Sequence, residues 1–340
     1  MHTGHHYPFW GLLHWTRRDI FQHVLIASVA TSAYVLLDWK WLAIPWLPIA
    51  LLGTAVAFIV GFKNNASYDR MWEARRIWGA IVNSSRTWGL LARDFLSDQY
   101  ANETCSPEQL DAARWILYRR HFAWLTALRY QLREPRAWES VSVPHNAEYK
   151  KRWFRVDEHE NQLDAVLTTY LSPAEQEQIM RGNNKPTQIL ALQSGHLVQL
   201  RRAGWIEDFR HMELEKVLAE LLSHQGAAER IKNFPYPRQY ATMNLWFVKI
   251  FVWLVPFGML QEFEKLGGPL VWLSIPFSVL AGWIFTTMER IGEVTENPFE
   301  GSANDVPITS IARNIEIDLR QMLGETKLPP AIVAENNIVT

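Results

Sequence analysis

Residues 49–88 read IALLGTAVAFIVGFKNNASYDRMWEARRIWGAIVNSSRTW, an apolar helix that runs without a break in period into a charged, tryptophan-studded one. Ile49 to Phe62 carry no formal charge, and Thr54, Phe58 and Phe62 recur at i, i+4 and i+8, so all three share one helical face. At about 1.5 Å per residue the three form a stripe about 12 Å long. Gly53, Ala55, Ala57 and Gly61 lie between them, small residues of the kind that let helix backbones approach closely in a membrane. From Lys63 onward the pattern demands water, which predicts one helix crossing the boundary between hydrocarbon and solvent.

Outward from this stretch the same contrast repeats. The chain has 340 residues, 34 Lys+Arg against 35 Asp+Glu, and 48% apolar content, enough for a substantial core and without the basic excess that nucleic-acid binding requires. Its mean hydropathy of −0.13 averages two apolar ends and a strongly charged middle. Seventeen tryptophans suit membrane interfaces and large packed contacts. The single cysteine, Cys105, excludes an internal disulfide and receives no role.

Ile20 to Leu37 read as a first membrane span, preceded by Arg17 and Arg18. The opening helix is the second. A third runs from about Asn244 to Leu260 with Lys249 inside it, for which a structural pair is the expectation, and a fourth from Pro269 to Met288. Basic residues decide the orientation. Arg17, Arg18, Lys63, Arg70, Arg75, Arg76, Arg230, Lys232, Arg238 and Arg290 fall on one side, and the two short loops on the other carry Asp38, Lys40, Glu262, Glu264 and Lys265. Positive residues stay inside, so both termini are expected in the cytoplasm. The N-terminal stretch lacks the charged n-region of a signal peptide.

The expected layout is all-α: 1–19 an interfacial segment, 20–62 two transmembrane helices, 63–240 a helical cytosolic region, 241–288 two more transmembrane helices, and 289–340 a cytosolic segment and tail. Within the middle region, Ser106 to Gln109 starts a helix reaching about Gln131, Ser172 to Glu175 is a capping box, and helices follow at about 187–203 and 206–231. Pro135 to Tyr149 reads as a loop. Ile308, Ile311, Ala312, Ile315, Leu319 and Met322 define an amphipathic helix, and beyond Lys327 a mobile tail is expected.

Two motifs about 220 residues apart carry a family resemblance. Tyr68 to Gly79, containing Asp69, Arg70, Trp72, Glu73, Arg75 and Arg76, together with Glu296-Asn297-Pro298-Phe299 and the later Asp305, resembles the bacterial branch of the bestrophin family. The resemblance implies a homopentameric ion channel of the bacterial inner membrane, whose second transmembrane helices line a hydrophobic neck. It places Thr54, Phe58 and Phe62 at the neck, Thr54 replacing the bulky aliphatic residue usual there. It also implies a cytosolic aperture on a helix before the third span, with Ile206 and Phe209 as candidates, and a tail that reaches a neighbouring subunit. Calcium-activated relatives follow Asn-Pro-Phe with a dense acidic run. Here only Glu300 and Asp305 remain, so no calcium requirement is expected. Phenylalanine edges carry partial positive charge, which tilts the expected selectivity toward anions such as chloride. A sodium- or potassium-conducting channel of the same build is the alternative. The partners so implied are further copies of the chain, membrane lipid and permeant inorganic ions.

Other classes have weaker residue patterns. His2, His5 and His6 resemble one histidine box of membrane desaturases, but such a metal site needs several boxes. Asp208, His211 and Glu215 share a helical face as a carboxylate-bridged metal site would want, without a second such motif; Glu158-His159-Glu160 has the wrong spacing. No catalytic set, cofactor or metal is therefore expected. A metalloenzyme and a membrane-anchored scaffold remain as alternatives.

Overall fold

In the computed structural model, which describes residues 1–99, 101 and 106–340, the described residues form twelve α-helices and no strand. Helix α1 (Phe9–Leu36) starts eleven residues before the expected span, and the charges on its third turn are paired, Arg17 and Arg18 with Glu148 and Asp19 with Arg290. A short 3-10 turn, Lys40–Leu42, leads to α2 (Trp46–Asp94), whose 49 residues make a rod about 73 Å long. The apolar-to-charged transition at Lys63 leaves it unbroken. Cys105 lies outside the described residues.

The region between the second and third apolar segments follows as α3 (Pro107–Arg133), α4 (Pro144–Trp153), α5 (Asp157–Glu160), α6 (Leu163–Leu167), α7 (Pro173–Met180), α8 (Lys185–Arg202) and α9 (Asp208–Asn233). Both serine caps take up their expected geometry. Ser106 and Gln109 exchange bonds at the start of α3, and Ser172 and Glu175 at the start of α7. The loop expected at Pro135 to Tyr149 is a helix from Pro144 onward. Proline is tolerated at the first helical position, and Lys150, Lys151 and Arg152 favour the C-terminal end.

Four helices are long and apolar enough to cross a membrane: α1, the segment containing α2, α10 (Arg238–Glu264), and α11 (Ser274–Thr295) with the 3-10 turn before it. The two short connections meet at one end of this bundle, where Lys40 pairs with Glu264 at 2.8 Å and Tyr34 also bonds Glu264. Ile49, Val56 and Val60 of α2 pack on Val248, Phe251, Val252 and Val255 of α10. Gly53 permits that approach, since a Cβ there would lie 2.6 Å from the Phe251 ring, whereas Gly61 has nothing within 4 Å. The small-residue seam is therefore one-sided.

The main core lies outside this bundle, where the second half of α2 (Trp78, Ile81, Trp88) is buried against α3, α8 and α9. Trp124 donates to Gln225 at 2.9 Å across it. Ile116 of α3 instead points outward. Helix α12 (Ile308–Met322) lays Ile308, Ala312, Ile315 and Leu319 onto α2 and α3 of its own chain. The tail is ordered: Thr3 N–H donates to the Asn337 carbonyl at 2.7 Å, and Ile338 is buried with Phe154 and Val156. The expected mobile segment is thus pinned to the N-terminal residues.

Candidate functional site

Helix α2 is two-faced along its length. One face, through Ile49, Gly53, Val56, Val60, Lys63, Ser67, Ala74 and Trp78, is buried in the bundle and core. The opposite face carries Thr54, Phe58 and Phe62, all exposed, with Phe58 at 65% and Phe62 at 70%. The three expected neck residues therefore share a free face of the same helix. That face continues past the apolar segment through Asn65, Tyr68, Asp69 and Trp72, with the Tyr68 and Trp72 rings stacked at 6.4 Å. Lipid can cover the first part, but two exposed aromatic rings beyond the apolar segment want a protein partner.

Behind the stripe lies a set of polar residues that sequence reasoning missed. Lys63 is buried, and its Nζ donates to Glu289 at 2.5 Å, while Asn244 donates to the second oxygen of the same carboxylate. One residue after Phe62, then, α2 is tied to α10 and α11. Two turns further on, Arg70 donates to the carbonyls of Glu296 at 2.8 Å and Ile231 at 3.1 Å, and Glu296 also accepts from Arg238. Glu73 pairs with Arg230 at 2.6 Å. Of the motif residues, Arg70 and Glu73 hold neighbouring elements, whereas Asp69, Trp72, Arg75 and Arg76 are exposed. The available signal was position: Lys63 and Glu289 each stand at the first residue beyond an apolar span.

The second motif is structural. Phe299 is buried in the main core, and Asn297 and Pro298 turn the chain between α11 and α12. Asp305 accepts from Arg133 at 3.0 Å and from the Gly301 amide at 2.7 Å; Glu300 accepts from the Ser140 amide and hydroxyl. Burial first, and then the neighbouring Asp305, pushes the Glu300 carboxyl well above the usual range. Both acids are already engaged by protein donors.

Two expectations, Ile206 at an aperture and a paired Lys249, are corrected by the packing. Ile206 is 2% exposed within the core, so it is not free to line an aperture; Phe209, at 74% exposed on the first turn of α9, is. Lys249 forms no carboxylate pair among the described residues; its exposed ammonium lies 5.2 Å from the Trp246 ring centroid. Asp208 pairs with Arg201 at 2.5 Å rather than facing His211 and Glu215 as a metal ligand. His5 and His6 contact each other, and His2 packs near Tyr7; no group of metal-ligand type forms among the described residues.

A family model described as bacterial/fungal bestrophin protein matches residues 14–321. The chain is 26% identical to the voltage-dependent anion channel-forming protein YneE of Escherichia coli, with 95% of this chain and 96% of that one covered. It is 28% identical to a voltage-dependent anion channel-forming protein of Ralstonia nicotianae, over 91% and 87% of the two chains. The fold is similar to a crystal structure of a bacterial bestrophin homologue from Klebsiella pneumoniae, with a TM-score of 0.74 at 24% identity, covering 92% of this chain and 99% of that one.

Proposed function

The chain belongs to the bacterial and fungal bestrophin family, and from that premise we propose that it is a passive membrane channel for small inorganic anions, chloride among them. The observation that carries this reading is the free face of α2, where Thr54, Phe58 and Phe62 stand exposed in a helix whose other face is packed. Copies of the chain, five in the pentamer we propose, bring these faces together around an axis. Two phenylalanine rings per subunit then form a constriction that dries out when narrow and conducts when widened. Rings turned edge-on present partial positive charge to a passing anion. The anion-channel names of the Escherichia coli and Ralstonia relatives support the same sign.

The proposal includes the layout: segments 20–62 and 241–288 in the bacterial inner membrane, with 1–19, 63–240 and 289–340 in the cytoplasm. Tyr68 and Trp72 extend the subunit contact below the membrane, and Phe209 belongs to a second constriction at the cytosolic mouth. We assign no catalytic activity.

The test is the reversal potential of purified protein in a planar bilayer under a potassium chloride gradient, with Phe58→Ala and Phe62→Ala beside it. Reversal toward the chloride equilibrium potential, and larger or more frequent openings in both variants, are expected. Reversal toward potassium would replace the anion reading with a cation channel. Unchanged currents in both variants would remove these rings from the gate.

A further inference from the structure

Beyond Phe62 the free face of α2 continues as a polar and charged stripe. At about 3.6 residues per turn, the eighteen residues from Phe58 to Arg76 make five whole turns, so Arg76 leaves the helix in the same direction as Phe58, about 27 Å further along. Asp69, seven residues after Phe62, falls between the directions of Phe58 and Phe62 and about 10 Å beyond the latter. Asn65 and Asn83, also five turns apart, follow the same line within about 20°. All four residues are exposed, and the helix is unbroken over the whole length, so the register holds.

Most other charges along this part of α2 hold the fold together. Arg70 donates to the Glu296 and Ile231 carbonyls, Glu73 pairs with Arg230, and Arg86 pairs with Asp318 at 2.7 Å. Asp69 and Arg76 differ. Among the described residues neither has a hydrogen bond or an ion pair, and two turns of helix, about 10 Å, keep them from pairing with each other. Arg75 is also without an ion pair among the described residues, but it leaves the helix about 100° further round, close to the direction of Tyr68. Two charges of opposite sign, with no role in the packing of their own chain, therefore stand in line with the two phenylalanines.

We propose that Asp69 and Arg76 line the ion path beyond the neck as two charged rings and set its charge preference, Arg76 concentrating anions and Asp69 opposing it. This rests on the channel reading above, since only assembly turns a stripe into rings. Helical side chains lean toward the helix N-terminus, so the long Arg76 side chain reaches back toward the neck, while the short Asp69 stays near its own level. A confined ring of like charge changes the local potential by kT or more. Each kT raises chloride about 3-fold and lowers potassium about 3-fold, which moves their ratio about 7-fold.

The experiment compares reversal potentials of the full-length parent, Arg76→Gln and Asp69→Asn in planar bilayers under a potassium chloride gradient. Neither substitution removes a contact within the chain, so both variants should fold. Arg76→Gln should lower the chloride-to-potassium permeability ratio about 7-fold and Asp69→Asn should raise it, whichever ion the parent prefers. Both shifts should shrink between about 0.1 M and about 1 M salt, as the Debye length falls from about 10 Å to about 3 Å. Arg76→Cys in a Cys105→Ser background, which leaves one thiol, adds a charge rescue: a cationic methanethiosulfonate should restore the parent's preference and an anionic one should push it further toward potassium. Reversal unmoved in both variants, shifts of the same sign, or equal effects of the two reagents would overturn the rings and leave the channel standing, provided that Phe58→Ala alters the currents. No current from folded protein would overturn the channel reading and the rings with it.

Discussion

Replacing Lys63 by methionine strips the cation from a pair whose side chains are only 4% and 5% exposed. Glu289 would keep Asn244 as a donor but lose its counter-charge, and breaking a buried pair from one side costs about 3–5 kcal/mol. Glu289→Met strands Lys63 in the same way and should cost a similar amount. The double variant differs, because two apolar residues of comparable volume leave no charge to solvate; from nearly neutral to about 1–4 kcal/mol more stable than the parent is the expected range. The assay is equilibrium unfolding in mild detergent, followed by tryptophan fluorescence, for all four proteins. Planar-bilayer currents of the double variant then ask what the pair does beyond stability. Since it anchors α2 one residue after Phe62, restored stability with altered gating would identify it as a positioning element for the neck. A Lys63→Met loss no larger than the about 0.5 kcal/mol of a surface substitution would refute the reasoning, as would a double variant as damaged as the sum of the singles.

Gly53→Ala should destabilise by about 1–3 kcal/mol, because its Cβ would meet the rigid Phe251 ring; Gly61→Ala, with open space around it, should be near neutral in the same unfolding assay. His121 is buried between Trp88 and Trp124, and burial lowers its pKa to about 3. The unfolded chain takes up that proton below about pH 6.5 while the folded one refuses it, so stability falls with falling pH, by about 2–3 kcal/mol at pH 4.5. His121→Phe should lose that component, and an acid-induced drop in stability as steep as the parent's would contradict it. Calcium chelation should leave currents unchanged, since Arg133 and Ser140 already engage Asp305 and Glu300; currents that vanish with chelator would show a clasp built from other ligands.

Periodicity carried furthest where a single helix decides its own course. The passage of α2 through Lys63 was legible because buried residues keep one face on both sides of the boundary, from Ile49 to Trp88. The caps at Ser106 and Ser172 were equally local and equally readable. What escaped was contact between distant residues. Lys63 and Glu289 stand 226 positions apart, and each reads alone as an ordinary charge at the end of a span. Lys249 misled in the opposite direction: inside an apolar run it looked in need of a carboxylate, yet it lies on an exposed face beside Trp246. Ile206 and Phe209 are three residues apart and equally apolar, and only packing separates the buried one from the free one. The tail reads as patternless because its order comes from the N-terminal backbone, which no periodicity records.

The continuity of α2 has a mechanical consequence. With no proline or glycine break between Phe62 and Trp78, the rod is torsionally stiff, and a twist applied at its far end arrives at the near one. A side-chain tip about 5–6 Å from the axis moves about 3 Å for a 30° turn. In the proposed oligomer such a turn, imposed by α9 or α12 on the distal half, would swing each Phe58 and Phe62 sideways by nearly the width of a water molecule. In that oligomer the helical body around the distal half of α2 would work as a crank handle, and the proposed neck as its shaft.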